Sequence, residues 1–218
     1  MAAATQTLQG YINTCRMILH DANAAFYSNA QLTQFINDAR YRLVRDSGCL
    51  RAYQTSSVVN GQEVYQFSSL PQGNVTYDIM NINLIWGNSR VPLYYLPWTD
   101  FNAKLRYWTN YIGRPIAYSM YDSSTSFYIG PVPDQTYPIE LDTVILPTPL
   151  VNLTDVDTIP DNYISPVPYY AAHQAKFMEQ AYGESEIFRN QYLQKMQNVI
   201  ATSYQRRIFS PYVQPVVG

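Results

Sequence analysis

The sequence predicts an α+β fold: a helical platform formed by N- and C-terminal helix pairs, with an inserted antiparallel β-sandwich-like domain. Three observations lead there. Apolar residues recur at helical spacing near both ends, the stretch between them changes to a period of two, and turn residues cut that stretch into short strands. The expected boundaries are 1–51 for the N-terminal helix hairpin, 52–164 for the β domain, 165–207 for the C-terminal helix pair and 208–218 for an extended tail.

Leu8, Tyr11, Ile12, Cys15, Ile18 and Leu19 follow the i, i+3, i+4, i+7 rule, and the pattern stops near His20-Asp21-Ala22-Asn23. Ser28 opens a second helix with Gln31 three residues on, the spacing of a capping box. Leu32, Phe35, Ile36, Ala39 and Leu43 line one face, and Gly48 suits a left-handed stop. A short link between two such helices makes an antiparallel hairpin.

From Tyr53 the period is two. Thr55–Val59 and Gln62–Ser68 flank Asn60-Gly61, a hairpin signal, and Asp78–Trp86 and Arg90–Leu96 flank Gly87-Asn88-Ser89, a second. Pro97 starts a short helix through Phe101, Leu105 and Trp108. Ile116–Tyr121, Ser126–Ile129 and Tyr137–Leu146 read as three more strands. After a Pro/Asn/Asp-rich loop, Ser165-Pro166 begins a third helix through Ala171, Ala172, Ala175, Phe177 and Ala181. Gly183 is expected to separate it from a fourth, with Phe188, Tyr192, Met196, Val199 and Ser203 at helical spacing.

The chain has 218 residues, 14% of them charged, and 21 tyrosines. Tyrosine offers an apolar face and a hydroxyl that tolerates water, so low charge with many tyrosines points toward protein contacts. Residues 1–51 carry five Arg against three Asp, and 166–218 carry five Lys/Arg against three Glu. Residues 52–165 carry four Lys/Arg against ten Asp/Glu, a net of −6 that repels phosphate. No run of ~20 apolar residues suggests a membrane helix, and no signal-peptide core is seen at the N-terminus. Cys15 and Cys49 fall roughly 20 Å apart along a hairpin, beyond disulfide reach.

Candidate chemistry is sparse. His20 ends a helix and His173 lies among alanines, neither beside a nucleophile. No metal-ligand spacing is present, although Asp155, Asp157 and Asp161 share a loop. Glu140 and Asp142 share a strand face, as paired glycosidase acids could. Trp86 and Trp98 are candidates for a sugar-binding strip. Arg40, Arg42 and Arg45 on the second helix invite comparison with a DNA-binding helix, but the tyrosine-rich region is the acidic one, which disfavours stacking on single strands.

The order of several blocks carries a resemblance. His20-Asp21-Ala22-Asn23, Phe26-Tyr27-Ser28 and Phe35-Ile36-Asn37-Asp38-Ala39-Arg40 come first. Gly113-Arg114-Pro115, Tyr128-Ile129-Gly130-Pro131-Val132-Pro133-Asp134, Ile159-Pro160-Asp161-Asn162-Tyr163 and Tyr169-Tyr170-Ala171-Ala172 follow. The chain resembles the head-to-tail adaptors of tailed bacteriophages, closest to the tail tubular protein A type of short-tailed phages. That resemblance implies a structural virion protein without enzyme activity or cofactor. It implies a ring, commonly of twelve copies, between the portal and the tail nozzle or tube, with DNA passing through the lumen unbound. Self, portal, nozzle or tube and tail fibres are the implied partners, and the host cytoplasm the place of assembly. Arg40, Arg42, Arg45, Tyr169 and Tyr170 fall on the ring and portal platform. Ile208, Phe209, Pro211, Tyr212, Val213 and Pro215 form a tail expected to dock on the portal. The competing readings are a neck or head-completion protein of a long-tailed phage, and a tail-associated carbohydrate-binding or glycan-hydrolysing protein.

Overall fold

A computed structural model describes residues 5–106, 111–121 and 125–203. The expected tail at 208–218 and Trp108 lie outside them. The described residues form five α-helices: α1 Leu8–Leu19, α2 Asn29–Ser47, α3 Trp98–Leu105, α4 Val167–Met178 and α5 Tyr182–Ser203. They form ten strands: β1 Arg51–Val58, β2 Val64–Gln66, β3 Thr76–Trp86, β4 Ser89–Pro92, β5 Tyr94–Tyr95, β6 Ile112–Gly113, β7 Ala117–Met120, β8 Ser126–Gly130, β9 Val132–Pro133 and β10 Tyr137–Ile145. The fold is α+β, as the patterning predicts. The chain divides into a helical unit, residues 1–50 with 146–204, and a β unit from 51 to 145. The loop from 146 to 164, expected with the strands, therefore belongs to the helices.

In the helical unit, the local signals match what they form. Thr7 caps α1 by accepting from the Gly10 N–H at 3.2 Å. Ser28 and Gln31 make both halves of the capping box on α2. Gly48 ends α2 at φ +62°, its N–H on the Val44 carbonyl at 2.8 Å. Leu8, Tyr11, Ile12 and Cys15 of α1 are buried, as are Leu32, Phe35, Ile36, Ala39 and Leu43 of α2. On α4 the buried stripe is Ala171, Ala172 and Ala175, small side chains that bring backbones close. Gly183 is not the break between α4 and α5. Gln180 turns the chain at φ +62°, and Gly183 lies in the first turn of α5.

The β unit is a sandwich of two four-stranded sheets, ordered β1-β10-β3-β4 and β2-β8-β7-β5, with a short β6-β9 pair. Val58, Ile79, Ile82, Leu84, Ile139 and Leu141 of the first sheet share one core with Tyr65, Tyr118, Phe127 and Ile129 of the second. Most pairs are antiparallel, but β5–β7 and β6–β9 are parallel. The expected second hairpin is present: β3 and β4 pair from Asn83↔Pro92 to Trp86↔Ser89, with Gly87 supplying a positive φ (+58°) in the two-residue loop. The expected first hairpin is not. Asn60-Gly61 turns the chain, but β1 pairs with β10 and β2 with β8, so the turn carries the chain from one sheet to the other.

Candidate interaction surfaces

Asp157, the middle acid of the 155–161 loop, is interior and anchors a dense polar site of the helical unit. One oxygen takes Arg40 Nε at 3.1 Å, Arg40 Nη2 at 2.6 Å and the Ile159 N–H at 3.0 Å. The other takes the Tyr11 hydroxyl at 2.5 Å. Arg40 finishes its hydrogen bonds on Asn37 and the Thr148 carbonyl, each at 2.9 Å. Burial first, then the Asp157 charge, pushes the Tyr11 phenol far above its ordinary value, so it stays a donor. The site ties α1, α2 and the loop together. Arg40 is 0% exposed, so its place is inside the platform and its charge is unavailable to a partner.

The other two loop acids also hold backbone. Asp155 accepts from the Val151 and Asn152 N–H groups, and Asp161 from Thr5 and Gln6. These bonds hold both carboxyls below the usual range. Among the described residues no cluster of three or more His, Cys, Asp or Glu is placed to hold a metal. Asp21 organises the α1–α2 link in the same way. Burial pushes its pKa up, but the Tyr27, Phe26 and Ala25 N–H groups and Arg16 outweigh that and hold it low. Cys15 and Cys49 are free and buried, and burial pushes their thiols up to about 12 and about 11.

Of the remaining platform residues, Arg42 and Arg45 reach solvent. Arg42 pairs with Asp46 at 3.3 Å, donates to the Tyr170 hydroxyl at 3.0 Å and lies over the Tyr170 ring at 5.2 Å. Tyr169 is half-buried with Lys195 over its ring at 4.8 Å. Arg42 with Tyr170 joins α2 to α4, and Lys195 with Tyr169 joins α5 to α4.

The enzyme-like candidates resolve into structure. His173 Nδ1 lies 2.8 Å from the Ser185 hydroxyl, but Ser185 is buried at 2% exposure, and its hydroxyl donates to the His173 carbonyl at 3.1 Å; the pair staples α4 to α5. Glu140 and Asp142 do share a face, each held by a cross-strand arginine. Arg90 Nε lies 2.8 and 3.1 Å from the two Glu140 oxygens, and Arg51 binds Asp142 with both nitrogens of one fork edge. Arg90, then Tyr53, keeps Glu140 below its usual range, the opposite of what a general acid needs. Of the two candidate indoles, Trp86 has Arg114 over its ring at 4.3 Å and stays 52% exposed, and Trp98 packs against Tyr128, Tyr121 and Phe101 with Arg106 over it.

What periodicity missed is apolar exposure on the helical unit. Phe26, Phe177, Met178, Tyr182 and Ile187 are 57–76% exposed, and Val151, Leu153 and Val156 are 42–73% exposed. Phe177 was grouped with the alanine stripe of α4. It falls two residues after Ala175, off the three-to-four spacing, which was the available signal. Among the described residues the helical unit therefore carries aromatic and aliphatic side chains at its surface.

A family model for the SU10 adaptor protein matches residues 6–215. The chain belongs to the SU10 adaptor protein family. No curated protein sequence matches it. The adaptor is therefore a structural protein of a phage virion, and its work is contact with other head and tail proteins. Among its described residues no helix is long and apolar enough to cross a membrane.

Proposed function

We propose that this adaptor forms a closed ring between the portal and the tail nozzle or tube, with the roughly twelve copies that its resemblance to head-to-tail adaptors implies. The reading takes its plan from the short-tailed, tail tubular protein A type that the sequence resembles. The observation that carries it is the large apolar surface that the helical unit leaves in water, with Phe26 at 76% and Met178 at 66% exposure. A lone chain gains nothing from that exposure, whereas a ring subunit has neighbours on two sides and partners above and below. Arg42, Arg45, Tyr169 and Tyr170 belong to the platform of that ring, with Arg40 holding the platform together. The segment containing Ile208, Phe209, Pro211, Tyr212, Val213 and Pro215 supplies apolar contacts to the portal. The net charge of −6 over residues 52–165 lets DNA slide past that region without binding. Assembly takes place in the host cytoplasm, and the nozzle, tube or fibres meet the β unit.

Native mass measurement of the purified adaptor, alone and mixed with its portal, tests this together with negative-stain imaging. The expected species are rings, or portal-bound rings, in multiples of the 25.1 kDa chain. A chain truncated after residue 207 should still fold but lose most portal binding. A monomer that persists with and without portal sinks the reading; full portal binding by the truncated chain removes the tail's role.

A further inference from the structure

The exposed apolar residues of the helical unit include Met17, Tyr41 and Leu193, and eight others fall into two separate patches. The first lies where the C-terminal end of α1, the α1–α2 link and the α4–α5 turn meet. Phe177 and Tyr182 are in edge contact at 5.5 Å between ring centroids. A cleft lined by Leu19, His20, Lys176 and Ile187 joins the end of α1 to this turn. Asp21, just past the end of α1 and paired with Arg16, accepts from the Phe26 and Tyr27 N–H groups, which holds Phe26 at the same end. Together Phe26, Phe177, Met178, Tyr182 and Ile187 leave roughly 600 Å² in water, taking 150–250 Å² as the area of one large buried side chain. That is the top of the range for the largest patch on a monomer, about 300–600 Å². It is also most of the roughly 800 Å² that one partner brings to a standard interface.

The second patch lies at the opposite end of α1. The Leu8 and Gln9 N–H groups donate to the Asp155 and Leu153 carbonyls, and Thr7 bridges Val156, so the 151–156 loop is fastened to the start of that helix. The loop is held in shape by the Asp155 carboxylate. It presents Val151 at 73%, Leu153 at 42% and Val156 at 51% exposure. With twelve residues in α1, the two patches are separated by about 18 Å of helix.

We infer that these patches are the two unlike halves of one copy-to-copy contact, the α4–α5 end of one adaptor seating on the 151–156 loop of the next. This rests on the ring reading and goes further by naming its faces. A ring needs a head-to-tail contact between different surfaces on the same subunit. The helical unit carries two such surfaces, both apolar and at opposite ends of one short helix. One face is large and rich in aromatics, and the other is a stiffened aliphatic strip.

The test uses the full chain under the condition in which the wild-type protein assembles, alone or with portal. One variant carries Phe177→Glu and Met178→Glu, the other Val151→Glu and Leu153→Glu. Each alone is expected to remain monomeric at concentrations at least about tenfold above those at which the wild type assembles. Mixed in equal amounts they should give a heterodimer and nothing larger, because only one intact contact can form. Far-UV circular dichroism and thermal melts confirm that each variant folds. If either does not, Phe177→Cys with Leu153→Cys in one chain replaces it: oxidation should give a ladder of covalently linked copies, which neither single cysteine gives. Rings from either glutamate variant, a self-dimer of the loop variant, or no ladder overturns the inference while leaving the ring intact. A wild-type chain that never assembles overturns the ring reading itself.

Discussion

Asp157 and Arg40 decide the helical interior. A buried ion pair contributes little net stability when complete, because desolvation offsets the attraction, but losing one partner leaves a buried charge and costs about 3–5 kcal/mol. Asp157→Asn is therefore expected to destabilise the helical unit by about 3–5 kcal/mol, read as a shift of the urea midpoint at constant slope. Arg40→Met combined with Asp157→Asn should recover part of that loss, since no isolated charge remains and the amide still meets the Tyr11 hydroxyl and the Ile159 N–H. An Asp157→Asn midpoint within error of the wild type would show that the network is not stabilising. This pairing was not legible beforehand. Arg40 sits between the buried positions Ala39 and Leu43, at the edge of the apolar stripe, and that placement hints at partial burial. Its partner lies 117 residues away in a loop whose acids read as solvated. Periodicity reports which face of a helix is buried, and it carries no information about a partner so distant in the chain.

At the scale of elements, the helix ends are where local sequence and structure agree best, because a cap is chemistry among residues three or four apart. Ser28 accepts from the Gln31 N–H at 3.2 Å, and Gln31 Oε1 accepts from the Ser28 N–H at 3.0 Å. Ser28→Ala should cost about 1 kcal/mol, with Ser28→Asn close to neutral; equal melting of the alanine variant and wild type would contradict the cap's contribution. Strand partnership is a different matter. Asn60-Gly61 does turn the chain, and Gly87 does close a hairpin, yet only the second joins paired strands. After the first turn, the alternation of β1 is satisfied equally by β2 or by β10, which follows some eighty positions later. The longer β10 wins: it matches β1 over all eight residues, whereas β2 is three residues long. The α4–α5 break was misplaced for a related reason. Gly183 is the residue best suited to a turn, but the chain bends at Gln180, and a glycine in the first turn of a helix is tolerated there.

For the whole molecule, the decisive fact is how the chain passes through the β unit. Arg51 opens β1 and is paired with Val144 near the end of β10. The two ends of the inserted unit are therefore held side by side, at about 5 Å between opposed Cα atoms. The helical unit is made from both chain ends, and closing a long unstructured loop between them would cost entropy that grows with loop length. The β1–β10 pairing removes that cost by holding the ends together once the β unit has folded. A short flexible linker meets the same requirement. Replacing residues 51–145 by a Gly/Ser linker of about five residues should give a chain that keeps its helical circular dichroism, unfolds cooperatively, and remains sensitive to Asp157→Asn. If copy-to-copy contact lies in the helical unit, that shortened chain should also assemble, and its rings should lose affinity for the tail components that meet the β unit. A shortened chain that folds but stays monomeric would place the ring contact in the β unit instead, and one without a cooperative transition would show that the helices depend on the strands they enclose in sequence.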